Sequence, residues 1–471
     1  MLAFLICFRI AVNAQQYSQN SYTLTRSIEI ALANNLQSRQ SELQSFSAGI
    51  ALRQTKSKLF PDISASINQG LNQGRSIDPF TNGYVTDNVN FANYALNTGV
   101  ILFSGLILRN QIKQSYYEFE ASKMEQQQTK DNLTLKVIIT YFQILNNDDQ
   151  VNQASLQTEI TQKQIDRLQI LNKEGAIAPA QLSDLKGQLA NDELSLINSR
   201  NSLNSSKIAL AELMNVAYTR EFKVERMLGN EVFEKPTDSP EDIYTLALEQ
   251  LATIRGVNLR SKSAAQGIKV ARGLSFPQLN LNSNFLSNYS SAATTSKLIS
   301  MQNLPTGGYI ELSGSKIPVL APQGSFKKSK IDYNNQLRNN YNSSYNLSLR
   351  IPIFNSDRTR NRVALAKIEF NNAELVEETT KLQLKQAIDL AWFNKTAADE
   401  RLQSLIRQVV AFKESFKLSE IRFNAGVSTV VDYSIAKNNL DRASINLINA
   451  KYDKILRAKI LDYYKGEQLI L

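Results

Sequence analysis

Val100-Ile101-Leu102-Phe103-Ser104-Gly105 opens a run that reaches Glu174-Gly175-Ala176-Ile177-Ala178-Pro179 with no proline or glycine between. A short alternating segment leads into a very long polar helix, a glycine-centred reversal, and a helix returning through Ala190. The arrangement recurs. Pro352-Ile353-Phe354 opens a second run, which reaches Ala425-Gly426-Val427-Ser428-Thr429. Phe103 precedes Gly175 by the same interval as Phe354 precedes Gly426, and at this offset of 251 Arg109 falls on Arg360, Glu118-Phe119 on Glu369-Phe370 and Leu189 on Leu440. Upstream, at an offset of 216, Leu59-Phe60-Pro61 falls on Ser275-Phe276-Pro277 and Ala31-Leu32 on Ala247-Leu248. Matches in order at a fixed period indicate a duplicated unit. The difference between the two offsets belongs to one longer loop in the second copy.

The expected organisation is a first repeat over 15–214, a polar joint over 215–238, a second repeat over 239–464 and a short tail over 465–471. Tyr22 to Lys58 reads as a helix capped by Thr23 or Thr25, with Leu24, Ile28, Leu32 and Leu36 on one stripe and an irregularity at Asn34-Asn35. Its counterpart over 239–275 starts with Ser239 as cap, Pro240 in the first position and Asp242 closing a capping box. Residues 106–172 and 358–424 would each form a helix of about 100 Å. Their apolar positions, spaced by threes, fours and sevens on an otherwise polar rod, give a coiled-coil seam. Return helices begin near Pro179 and near Ser428 or Thr429.

Between the helices the period changes from 3.6 to 2. Ile63, Ala65, Ile67 and Leu71 alternate with polar neighbours, as do Tyr94, Leu96, Thr98, Val100 and Leu102. These predict a strand hairpin at about 62–102 and another at about 278–353 whose long loop, rich in Ser, Thr, Gly and Pro, is a surface excursion. Strands of about ten residues match tilted membrane strands. Four strands do not close a barrel, and an open edge in lipid leaves backbone groups unpaired, so closure requires other subunits. Three chains supply twelve strands; two supply eight, too few for a wide polar channel.

Composition removes most chemistries. Among 471 residues there is no His and one Cys, which excludes His-based catalytic triads, and no metal-ligand or cofactor motif is present. The formal charge of +10 comes from cations spread among nearly as many acids, without the dense stripe that nucleic acid requires. Asp148-Asp149 and Glu377-Glu378 are adjacent pairs that diverge around a helix and read as solvated faces. Trp392 reads as a seam residue, and Tyr463-Tyr464 as helix packing. Residues 1–14, apolar except for Arg9 and ending Val12-Asn13-Ala14, read as an export signal, and no later stretch is apolar enough for a transmembrane helix.

The informative sites are the two reversals. The plain account is that Gly175 and Gly426 turn helices. The functional account displays these tips to a partner and places a pore constriction there. The tip residues Gly175, Ala176, Ile177 and Pro179, and Gly426, Val427, Ser428 and Thr429, form the candidate contact. Ile177, Val427 and Val430 would suit a helical partner. Glu174, Asp184, Glu420 and Asp432 are candidate constriction acids, able to form carboxylate rings on symmetric assembly.

Taken in order, and twice over, these motifs resemble the TolC family of outer membrane efflux proteins. The features are Leu24-x-x-Ser27-Ile28-x-x-Ala31-Leu32-x-Asn34-Asn35, Leu59-Phe60-Pro61-Asp62-Ile63, Ile101-Leu102-Phe103-Ser104-Gly105, Gly175-Ala176-Ile177-Ala178-Pro179-x-x-Leu182-x-Asp184, and their second copies. The resemblance implies a mainly α fold with a membrane β-barrel. In a homotrimer, four strands per chain would complete a 12-stranded barrel in the outer membrane lipid, continued by a long helical tunnel in the periplasm. It implies as partners a periplasmic adaptor (membrane fusion) protein and, through it, an inner-membrane pump, with small molecules or polypeptides exported through a passive conduit. It implies no cofactor, no metal and no enzyme activity. The Asn and Tyr content is compatible with a Bacteroidota-like source. Two departures stand out. The long second loop is a candidate cover for the barrel mouth, and Phe416-Lys417-Leu418-Ser419-Glu420 holds a single acid where the family's constriction is acidic. The alternative is an exported coiled-coil spacer or interaction protein without a pore.

Overall fold

The computed structural model of the protein describes residues 21–77, 82–86, 88–226 and 238–467. The expected export signal, residues 227–237 of the joint and the end of the tail, 468–471, lie outside the described residues.

Thr23 caps α1 (Leu24–Asn34), its hydroxyl accepting from Arg26 N at 3.1 Å. The break foreseen at Asn34-Asn35 falls on Asn35, whose ψ of 126° is extended. Asn35 Oδ1 accepts from Gln37 N at 2.9 Å. It also accepts from Ser38 N at 3.2 Å. One side chain therefore ends α1 and starts α2 (Leu36–Ser57). Next come β1 (Asp62–Asn72), a small hairpin of β2 (Ser76–Ile77) and β3 (Tyr84–Val85), β4 (Val89–Ser104), α3 (Ile107–Lys173) and α4 (Pro179–Met214). The second half continues with α5 (Pro240–Gln250), α6 (Ala252–Gly273), β5 (Gln278–Ser290), β6 (Thr294–Leu312), β7 (Ser315–Lys330), α7 (Tyr333–Asn339), β8 (Asn342–Arg350), α8 (Arg358–Asn424) and α9 (Val430–Tyr464). Helix lengths repeat: 11 and 11 residues for α1 and α5, 22 and 22 for α2 and α6, 67 and 67 for α3 and α8, 36 and 35 for α4 and α9.

Two expectations are corrected. The 239–275 helix is broken at Leu251 (ψ 128°), the counterpart of Asn35. Its N–H still donates to Ala247 O at 3.1 Å, and its side chain is buried. The break is fixed by packing, with no polar residue at Leu251 to announce it. The long second loop is mostly strand: β6 and β7 pair antiparallel from Thr294↔Lys330 to Leu312↔Ser315. Pro305, Pro318 and Pro322 lie inside them, which is tolerated because a two-stranded ribbon consists only of edge strands.

The chain divides into two compact units that cut across the sequence repeats. One draws its described residues from Met1–Ile50, Tyr116–Ala264 and Glu369–Leu471 and is helical. Its buried side chains form three clusters, centred on Tyr141 and Ile144, on Ile243 and Ile388, and on Leu185 and Tyr433. Tyr141 donates to Glu225 O at 2.6 Å and lies 3.0 Å from Tyr22 O, and burial pushes its hydroxyl up to about 12. Asp148 and Asp149, expected to be plainly solvated, both hold Arg226 (2.5 and 2.8 Å), and Tyr452 donates to Asp149. Trp392 packs beside the Ile243 cluster and donates to Asp238 O; Tyr463 and Tyr464 pack there too.

The other unit, Ala51–Ser115 with Ala265–Ile368, carries the sheet, in the order β1-β4-β5-β8, all antiparallel. Both repeats contribute to it, which is why the compact units do not follow the duplication.

Candidate functional site

The sheet sorts its side chains by register. Directly paired residues share a face, so one face carries the rows Ala65–Leu96–Phe285–Ser343 and Val100–Leu281–Leu347. The other face carries Ser64–Asn97–Asn284–Ser344 and Asp62–Gly99–Asn282–Asn346. One face is largely apolar and the other is polar. A bulge between Ile101 and Phe103 revises the expected alternation: Phe103 pairs with Leu279 on the apolar side, and Leu102 loses its place there. β1 and β8 each pair on one side only, and their apolar residues are open, with Ile63 68%, Ile67 70% and Leu347 61% exposed.

In the helical unit, both reversals are Schellman turns. Ala176 N donates to Leu171 O (2.9 Å) and Gly175 N to Asn172 O (3.1 Å); Val427 N donates to Arg422 O (2.9 Å) and Gly426 N to Phe423 O (3.0 Å). Gly175 has a φ of 72° and Gly426 a φ of 75°. Both have open space where a Cβ would stand, so glycine is needed there for its backbone alone. The restarts differ. The first return helix, α4, begins with Pro179 after Ala178, which offers no side-chain cap. By contrast, α9 begins with a full capping box. Thr429 Oγ1 accepts from Asp432 N at 3.2 Å. Asp432 Oδ2 accepts in return from Thr429 N at 3.1 Å.

That box engages one candidate acid. Hydrogen bonds from Thr429 hold the Asp432 carboxyl below the usual carboxylate range, so it is ionised and engaged in capping. Glu420 is half-buried, and its charge helps burial raise the Tyr433 hydroxyl. Glu174 and Asp184 are exposed on the other reversal. Within one chain the four acids are split between two turns. Of the apolar tip residues, Val430 is buried and Ile177 packs on the same cluster, so they build the tip from inside; Val427 remains 69% exposed. Ser428 is half-buried.

Sequence reasoning missed the bonds that join the helices near the tips. Arg167 on α3 donates through Nη2 to Asn424 O (3.0 Å), the last residue of α8, and through Nη1 to its side-chain oxygen. This places a cation at a helix C-terminus, where the macrodipole favours it. Farther along, Lys437 of α9 is 1% exposed and lies 2.9 Å from Asp192 Oδ2 of α4 and 2.8 Å from Asp441 Oδ2. Thr161 and Gln188 also donate to Asp192, at 2.5 and 2.8 Å. Burial raises the Asp441 carboxyl despite Lys437. The available signal was the Lys437/Asp441 spacing of four, which every solvated helix face also shows. Among the described residues no group of His, Cys, Asp or Glu suits a metal ion, and no helix is long and apolar enough to cross a membrane.

The family model described as outer membrane efflux protein matches residues 14–216 and 243–461. The chain belongs to the outer membrane efflux protein family. It is therefore an outer membrane channel component of efflux systems, with its helices in the periplasm. This efflux protein is similar to the outer membrane protein TolC of Vibrio cholerae, with 21% identity over 392 residues, covering 80% of this chain and 78% of that one. Among solved structures, the fold is shared with the outer membrane protein VceC of Vibrio cholerae (TM-score 0.75, 15% identity, 95% and 96% of the two chains). It is shared equally with the outer membrane channel CmeC of Campylobacter jejuni (TM-score 0.76, 17% identity, 94% and 85%). The mainly α fold with antiparallel strands expected from the sequence is the fold of these channels.

Proposed function

We propose that three copies of this efflux protein join β8 of one sheet to β1 of the next, closing a twelve-stranded barrel with the Asn97 row inside and the Leu96 row in lipid. The observation that carries this is a four-stranded sheet with both edges unpaired and one exposed apolar face. In lipid, such edges are tolerated only if another strand takes them. The protein is a passive conduit, not an enzyme. Its reversals, Gly175–Pro179 and Gly426–Thr429, meet a periplasmic adaptor that connects it to an inner-membrane pump, and substrates leave through the tunnel. Support for the tip contact comes from Val427, Val431 and Ile435, which are exposed on α9 and its turn. Glu174 and Asp184 have the exposure a carboxylate ring needs, Glu420 less, and Asp432 the least freedom.

The test pairs a cysteine at Ser66 on β1 with one at Ser344 on β8 in the same chain, and treats cells with a short bifunctional thiol reagent. A ladder ending at three subunits is expected, together with conductance of the purified protein in planar bilayers. A ladder that stops at two, or a water-soluble monomer, refutes the reading.

A further inference from the structure

The β6–β7 hairpin carries five lysines, Lys297, Lys316, Lys327, Lys328 and Lys330, against one acid, Glu311. At its turn the charges are matched: Lys316 pairs in register with Glu311, and its ammonium lies 4.2 Å from the Tyr309 ring centre. At its base they are not. Lys297 and Lys327 are direct cross-strand partners, an arrangement in which like charges repel. Lys328 and Lys330 alternate onto the opposite face, opposite Ser296 and Thr294. Beside this cluster Leu298 pairs with Phe326, and a bulge sets out Ile299; Phe326 and Ile299 are 63% and 65% exposed.

The base is also held in place. Ile331 N donates to Ala293 O at 3.1 Å, closing the ribbon. Gln336 of α7, 1% exposed, accepts from Ser290 N (2.9 Å) and donates to Ser290 O and Ile331 O (both 3.0 Å). The cationic base is therefore pinned to the last residue of β5. The first residue of β5, Gln278, follows α6 closely, so Ser290 marks the end of the strand remote from that helix. On the barrel reading above, with the helices in the periplasm, the Ser290 end of β5 is the one that faces the cell exterior.

We propose that the base of the β6–β7 hairpin is a docking surface for the anionic, phosphate-bearing lipids of the outer leaflet. Lys297, Lys327, Lys328 and Lys330 bind the headgroup phosphates, and Ile299 and Phe326 enter the acyl boundary. This rests on the barrel reading above. Charge complementarity selects the occupant: repelling ammonium groups with apolar neighbours, at the membrane level of a strand end, suit an anionic lipid surface. A second copy of the same hairpin would bring cations against cations.

The test uses full-length assembled protein in mild detergent, titrated with diphosphorylated lipid A and with its dephosphorylated form, with bound lipid counted by native mass spectrometry. Each lysine at an anionic surface contributes about fivefold, so K297Q/K327Q/K328Q/K330Q should weaken lipid A binding roughly 600-fold. K413Q/K417Q, on exposed α8 positions, should leave it within about twofold. Trimer mass and bilayer conductance are measured alongside: their loss in the native protein refutes the barrel, whereas intact conductance with unchanged lipid binding in the quadruple variant refutes only the lipid surface. Equal affinity for both lipid forms, or competition by inorganic phosphate as effective as by lipid A, also overturns it. If the quadruple variant does not assemble, a polarity-sensitive dye at I299C reports instead. Its emission should shift to the blue in lipid A nanodiscs and not in phosphatidylcholine ones. A shift in both shows that burial of Ile299 does not depend on an anionic lipid and overturns the proposal.

Discussion

Replacing Lys437 by Met probes the bonds that hold α9 to α4. Methionine keeps most of the volume and the apolar stem while removing the charge. It leaves Asp192 buried and Asp441 half-buried without the cation that lay 2.9 and 2.8 Å from them. Thr161 and Gln188 still donate to Asp192, so hydrogen bonding is only partly lost and the main effect is an uncompensated pair of carboxylates, one buried and one half-buried. Breaking such a pair from one side costs about 3–5 kcal/mol. In an assembly of this size, melting is not expected to be two-state, and local opening is the quantity to measure. Amides around Asp192 and from Tyr433 to Asp441 should exchange faster by roughly two to three and a half orders of magnitude at pH 7. The pH dependence has a definite sign. Burial already places the folded Asp441 carboxyl above its unfolded value, and Lys437 opposes that rise. Without Lys437 it climbs further. A raised carboxyl contributes stability while protonated and loses it as pH rises through the folded value. The deficit of K437M should therefore shrink as pH falls from 7 towards 4, and D192N/D441N added to K437M should recover most of it at pH 7. Exchange in K437M within about threefold of the native rate at pH 7 would refute the buried-pair reasoning.

The other perturbations are more local. G426A places a Cβ in open space but at a φ of 75°, so it should destabilise the α8–α9 turn by about 1–2 kcal/mol. G426N should recover part of this, and exchange at Val427 and Ser428 reads it. Q336A removes the bonds that Gln336 makes to Ser290 N and O and to Ile331 O, at a cost of about 0.5–1.5 kcal/mol for each bond. The hairpin base should become a site of tryptic cleavage at Lys327, Lys328 and Lys330 in intact cells, and unchanged resistance contradicts the pin. N97C should react with a polar thiol reagent from the channel interior, and L96C should not; equal labelling contradicts the assignment of faces made from the Leu96–Phe285 and Asn97–Asn284 rows.

Much of this was legible because two periods govern most of the chain. The shift from 3.6 to 2 after Pro61 and its return at Leu106 delimit the first hairpin, and the polar–apolar alternation assigns its faces without structural help. Backbone-specific residues were equally readable: Gly175, Gly426 and Pro179 each impose a local geometry that does not depend on distant contacts. What failed to show depends on the third dimension. Asn35 and Leu251 break equivalent helices, but Asn35 does so through its own side chain and Leu251 through burial. The bulge at Leu102 adds a residue to an otherwise regular alternation, and the tip acids read as equivalent until Asp432 proved to be a cap.

Lys186 and Lys437 occupy equivalent positions in the two repeats, at the same offset of 251. Lys186 is exposed on α4, whereas Lys437 is buried between α9 and α4. The same residue in the same register therefore has opposite roles, and the difference lies in what faces it. Asp192 and Asp441 correspond to Ala443 and Ala190 at this offset, so neither acid has a counterpart in the other repeat. The two return helices thus differ most in polar bonding. The first, α4, starts uncapped, whereas α9 is fixed by a capping box, by a cation buried against α4, and by the cluster around Tyr433. A duplicated helical hairpin with equal bonding on both copies would have no preferred place to yield. Here the capping box and the buried cation lie on the second copy, while the first starts with a proline and meets that cation through Asp192, which also accepts from Thr161 and Gln188. Disturbing the α8–α9 reversal should therefore change the tips more than an equal disturbance at α3–α4, because only α9 carries both a capping box and the lysine that holds Asp192 of α4 and Asp441.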